Sequence, residues 1–63
     1  PASAAIRHRL AQLVAAENPA DPLDDVALTA LLSAEGMALA RRTVAKFRQE
    51  LGIPPRARRR QRA

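Results

Sequence analysis

The sequence predicts an all-α fold: a three-helix bundle containing a helix-turn-helix, followed by a disordered basic C-terminal tail. Three observations point there. Apolar residues recur at helical spacing in three stretches, each ended by Asn-Pro or by a glycine. The large apolar residues are nearly all Leu, Ile and Val, with one Phe and no Trp or Tyr. That makes a thin aliphatic core, and β-branched residues are too few for a sheet. Finally, 63 residues suffice for one domain, which buries a smaller share of its surface than a larger one would.

The first helix is predicted over about residues 4–17, with Ser3 as N-cap. Ile6, Leu10, Leu13 and Val14 form its apolar stripe, and His8 falls on the opposite, solvated side. Asn18 is expected to take a left-handed C′ position, and Pro19 stops the helix. Residues 19–22 form a stiff connector, Pro-Ala-Asp-Pro. The second helix is predicted over about residues 25–35. Asp24 is its N-cap, Asp25 suits the positive end of the helix dipole, and Leu23 can staple onto Leu28. It is expected to bury Leu28, Leu31 and Leu32 with Ala27 beside them, Leu31 meeting Val44 and Leu10 in the core. Gly36 is the expected C′ residue, with Met37 folding back on Leu32.

The third helix is predicted over about residues 41–51, burying Val44, Phe47 and Leu51, with Ala40 on the same side. Gly52 turns the chain, Ile53 folds back, and Pro54-Pro55 forbids continuation. Domain 1–55 thus ends before a tail, 56–63, whose arginines have no apolar neighbours to pack with and which is expected to be mobile.

Composition narrows the function. There is no Cys, a single His, no Gly-rich phosphate loop and no paired carboxylates outside the Asp24-Asp25 cap, so no enzyme, cofactor or metal site is expected. No apolar run reaches bilayer length, so no membrane partner is expected, and the opening Pro1 suggests a piece of a longer protein. Charge is sharply divided. Residues 1–36 set Arg7 and Arg9 against five carboxylates, a net of −3. Residues 37–63 set nine basic side chains against Glu50 alone, a net of +8. Such a division points to a polyanion, and all but one of the 11 basic residues are Arg, which can fork onto phosphate or guanine.

On a helical wheel, Arg42 and Gln49 lie opposite the buried stripe of the third helix, flanked by Ala45 and Lys46. Arg41 and Thr43 sit on the two edges, and Arg48 near the buried boundary. Long hydrogen-bonding side chains around a small one suit a helix seated in a DNA groove. Arg41 and Arg42 also occupy the positive end of the dipole without an obvious N-cap, a local mismatch that a docking anion would relieve.

Ala40-Arg41-Arg42-Thr43-Val44-Ala45-Lys46-Phe47-Arg48-Gln49 resembles the RpoN box, Ala-Arg-Arg-Thr-Val-Ala-Lys-Tyr-Arg-Glu, of the bacterial sigma-N factors, and agrees at eight of ten positions. Leu13-Val14-Ala15-Ala16-Glu17-Asn18-Pro19, Pro22-Leu23, Leu31-Leu32, Gly36 and Leu51-Gly52-Ile53-Pro54-Pro55 extend the likeness over nearly the whole chain. Phe47 stands where the box has Tyr, and Gln49 where it has Glu.

The resemblance implies the C-terminal promoter-recognition domain of a cytoplasmic, nucleoid-associated bacterial factor, with the box helix reading the minus-24 GG element of double-stranded promoter DNA in the major groove. Core RNA polymerase and an AAA+ activator would be met by other regions of the full protein, and the isolated domain is expected to be monomeric. Arg42, Lys46, Ala45 and Gln49 are the expected base-reading positions. Arg41, Thr43, Arg48, Arg56, Arg58 and Arg59 are the expected phosphate contacts. A basic RNA-binding or ribosome-associated helical module is the rival reading. The near absence of aromatic stacking platforms weighs against it.

Overall fold

A computed structural model describes residues 2–61. Three helices form close to where apolar spacing places them: α1 (Ala2–Ala16), α2 (Asp25–Ala34) and α3 (Arg41–Glu50). A one-turn helix, α4 (Arg56–Arg59), follows. There is no strand among the described residues; an isolated bridge joins Asn18 and Asp21.

α1 starts before Ser3, so Ser3 lies inside the helix and is not its N-cap. The alanines around it are strong helix formers and carry the first turn. Asn18 does not adopt the left-handed conformation either, since no described residue other than glycine has a positive φ. A residue preceding proline is pushed toward extended backbone. Asn18 turns the chain with its side chain instead: Oδ1 accepts from the Ala20 amide at 2.9 Å, and its carbonyl accepts from the Asp21 amide at 2.9 Å.

α2 is bounded as its sequence dictates. Asp24 Oδ1 accepts from the Ala27 amide at 2.8 Å and caps the helix. At the other end Gly36 takes φ +88°. The Met37 amide then reaches the Leu32 carbonyl at 2.9 Å, and the Gly36 amide reaches that of Ser33 at 3.0 Å. α3 ends the same way, with Gly52 at φ +74° and the Ile53 amide donating to the Arg48 carbonyl at 3.1 Å.

Leu10, Leu28, Leu32 and Val44 are fully removed from water and join α1, α2 and α3. Leu13, Val14, Leu23, Met37, Leu39 and Phe47 pack around them. Leu31 is not in this core: it is 38% exposed. Leu28 and Leu32, one turn apart, define the inward direction of α2, and Leu31 lies about 80° away from it on a wheel of 3.6 residues per turn. The loop side chains Met37 and Leu39 pack against the cluster instead. Leu51, just beyond α3, is likewise 37% exposed.

The basic segment after Pro55 is not a loose tail over its described part. Arg56 donates to the Pro22 carbonyl at 2.8 Å and to Asp21 at 2.6 Å. Arg59 forks onto Glu17, Nε at 2.9 Å and Nη2 at 3.0 Å, and also bonds the carbonyls of Leu23 and Pro54. The Gln61 amide donates to the Pro19 carbonyl at 2.8 Å. The segment needs no apolar side chain because polar groups at the α1–α2 connector receive it. Arg62, which the sequence places in the same tail, lies outside the described residues.

Two outcomes follow. Leu28→Ala should destabilise the fold by about 2–5 kcal/mol, whereas Leu31→Ala should cost no more than about 1 kcal/mol; thermal melts of the two variants check this. The hydrogen bonds from Arg59 hold the Glu17 carboxyl below its usual value of 4.5. Unfolding in acid therefore takes up a proton at Glu17. Its contribution to stability is complete above the ordinary glutamate range and is lost as pH falls through the lowered folded value. Melting temperature should drop on acidification below about pH 4.5, and Glu17→Gln should flatten part of that drop.

Candidate nucleic-acid interface

The carboxylates decide which arginines remain available. Of the six acidic side chains, Asp24 caps α2 and the other five each pair with an arginine. Arg7 meets Glu50 at 2.9 Å, and Arg9 meets Glu35 at 2.7 Å. Arg48 meets Asp25 at 2.9 Å, Arg56 meets Asp21 at 2.6 Å, and Arg59 meets Glu17 at 2.9 Å. Arg9 holds the Glu35 carboxyl below its usual value, chiefly by hydrogen bonding, and is itself raised by the same bond. The basic residues without a carboxylate partner among the described residues are Arg41, Arg42, Lys46, Arg58 and Arg60.

Three of these five stand on α3. Arg41, Arg42, Lys46 and Gln49 are exposed, while Thr43 and Ala45 are half-buried. No side chain caps the helix at Ala40, and its first turn holds no acidic group. The two arginines thus stand at the positive helix end with no carboxylate partner among the described residues. The one carboxylate on α3, Glu50, is engaged by Arg7, whose guanidinium also sits 4.8 Å from the Phe47 ring centroid. Phe47 packs against the core with its other contacts, consistent with an inward position that needs no hydroxyl.

Arg48 does not face outward with them. Its side chain is 7% exposed. It donates to both oxygens of Asp25, at 2.9 and 3.3 Å, and to the Ile53 carbonyl at 2.9 Å. It therefore pins the start of α2 to the turn after α3 instead of joining the exposed cations of that helix. Arg56 and Arg59, two more of the expected phosphate contacts, are likewise bonded to protein oxygens, Arg59 through four hydrogen bonds. Arg58 stays exposed, joined by Arg60. The role of Glu17 carried no sequence signal, because its partner is 42 positions away.

The fold and the surface define a small helical domain with one strongly cationic helix face, whose single neighbouring carboxylate, Glu50, is paired with Arg7. The family model for the sigma-54 (sigma-N) DNA-binding domain matches residues 1–61. The RNA polymerase sigma-54 factor of Escherichia coli strain K12 is 58% identical over 59 residues, covering 94% of this chain and 12% of that protein. The sigma-54 factor of Salmonella typhimurium gives the same figures. That of Pseudomonas aeruginosa is 55% identical over 53 residues, 84% of this chain and 11% of the relative. The chain belongs to the sigma-54 DNA-binding domain family. It spans about an eighth of the length of these relatives.

Arg48→Lys keeps the charge but cannot bridge Asp25 and Ile53 with the same planar fork. It should lower stability by roughly 1–3 kcal/mol. Unchanged melting of this variant would return Arg48 to the surface-contact class.

Proposed function

We propose that this domain binds duplex promoter DNA as the C-terminal domain of a bacterial sigma-54 factor. In this reading α2, the loop over residues 35–40 and α3 act as a helix-turn-helix, with α3, the RpoN-box helix, in the major groove at the minus-24 GG element. The observation that carries it is the outer face of α3: Arg41, Arg42, Lys46 and Gln49 are exposed together, and every acidic side chain, Glu50 of α3 included, is engaged by an arginine or as a helix cap. The family name and the names of the relatives support the same ligand.

The roles follow from chemistry and position. Arg42, exposed in the first turn of α3, donates two hydrogen bonds to guanine O6 and N7. Lys46, one turn on, reaches the neighbouring guanine or its phosphate. Ala45, small and half-buried between them, lets the helix sit deep. Gln49 meets adenine or a phosphate at the groove edge. Arg41 and Thr43 take phosphate oxygens beside the uncapped helix start, where the dipole favours an anion. Arg58 supplies a phosphate contact outside α3.

Polymerase and an AAA+ activator are met by other parts of the full-length factor, which acts in the bacterial cytoplasm at the nucleoid. One copy of the domain reads one element, so the isolated domain is a monomer. A titration of the chain against a GG duplex, a duplex with GG replaced, and a duplex RNA competitor tests the reading. Preference for the GG duplex is expected. Equal binding to all three would favour a general basic RNA- or DNA-binding module.

Arg42→Ala should cost roughly 1–3 kcal/mol on the GG duplex and little on the replaced one. Equal losses on both would move Arg42 from base to phosphate contact.

A further inference from the structure

The arginines of α4 and of its C-cap, Arg60, divide into two sets. Arg56 and Arg59, three positions apart, turn inward and are held by Asp21, Glu17 and the carbonyls of Pro22, Leu23 and Pro54. Arg58 and Arg60 are exposed, with no carboxylate partner among the described residues. They are not on a loose strand. The chain is held at residue 56, at residue 59 and again at the Gln61 amide, so an anchor lies on each side of both.

Glu17 is the centre of that anchorage. Its Oε1 accepts from the Leu23 amide at 2.9 Å and from Arg59 Nη2 at 3.0 Å, and its Oε2 accepts from Arg59 Nε at 2.9 Å. The side chains of Glu17 and Arg59 are each 8% exposed. One carboxylate thereby joins the end of α1, the connector and α4.

We propose that Arg58 and Arg60 form a second, pre-set pair of contacts to the phosphate backbone of the bound duplex, and that Glu17 is the residue that positions them. This rests on the DNA-binding reading given above. Guanidinium groups on an anchored element lose less freedom on docking than those on a mobile arm, and their planar donors suit phosphate oxygens. The pair has no small or apolar neighbour in α4 apart from Ala57, so it positions the duplex without reading bases. The inference assigns an acidic residue a favourable part in binding a polyanion. Coulomb's law alone gives the opposite sign: removing a negative charge should tighten the complex.

The test measures affinity of the 63-residue chain for the GG duplex and the GG-replaced duplex across a salt series. Arg58→Ala with Arg60→Ala should weaken both duplexes several-fold and alike, keep the GG preference, and make the log–log salt slope shallower by about 1.8, at about 0.9 per phosphate contact. Glu17→Gln should act in the same direction, weakening binding and flattening the slope although it raises net charge. Arg59→Lys, which leaves net charge unchanged, should do likewise. In the background lacking Arg58 and Arg60, Glu17→Gln should have no further effect on the slope, which a purely structural role would not produce. Circular dichroism melts confirm that each variant is folded at the assay temperature. The exposed double substitution carries the test on its own if either core-side variant is not. Tighter binding or a steeper slope for folded Glu17→Gln overturns the positioning role. An unchanged slope for the double variant, with GG preference intact in the wild type, overturns the second contact while leaving the α3 reading standing. A wild-type chain that binds no duplex removes both.

Discussion

The guanidinium of Arg48 lies where the chain would otherwise come apart. Among the described residues, four large side chains are fully buried, a small core for fixing the mutual orientation of three short helices. Arg48 reaches from the last turn of α3 to Asp25, in the first turn of α2, and to the Ile53 carbonyl beyond the α3 terminus. Each partner is electrostatically apt. A carboxylate suits the start of a helix and a cation suits the end. A partly buried ion pair of this kind adds little to stability beyond what an apolar pair would give, but it is directional, and losing one member leaves the other unpaired. The angle at which α3 is presented therefore depends on a hydrogen-bonded fork as much as on leucines.

The same economy explains how a chain with six acidic residues can show a face with no unpaired carboxylate among the described residues. Five of its carboxylates are matched to arginines that would otherwise crowd the surface, and the sixth caps a helix. What remains is a patch whose composition is set by subtraction. Formal net charge says nothing of this, since it counts the Arg59–Glu17 pair as zero without recording that the pair holds α4 in place. Many surface ion pairs are worth little energetically. Here the consequence of pairing is geometric, because it determines which guanidinium groups face solvent.

Much of the fold was legible in the residues. Asp24, Gly36 and Gly52 mark helix ends by local chemistry alone, and the structure uses each of them as local rules require. The stripe through Leu10, Leu28, Leu32 and Val44 follows from helical period. The outward set of α3 was legible for the same reason, its roles being another matter. Leu31 was misplaced because three leucines within five positions leave the phase of a ten-residue helix loose, and loop residues can fill the core as well as helical ones. The inward course of Arg48 was not legible, because periodicity treats arginine as polar and cannot see a carboxylate 23 positions away. The segment from Arg56 was misjudged for a related reason: lacking apolar residues, it was expected to have nothing to hold it, yet carbonyl and carboxylate oxygens distant in sequence do so.

The clasp at Glu17 also has a mechanical side. It closes the backbone from position 17 to position 59 into a ring by a reversible link, with the α2–α3 unit inside. Tension applied to the polypeptide beyond residue 61 arrives first at Gln61–Pro19 and at the Arg59 fork. Those bonds, with the ties from Arg56, divert part of the load to the α1–α2 connector and away from α3. α3 is thus partly shielded from pulling on that side by a non-covalent catch, one that can reform once the strain is relieved.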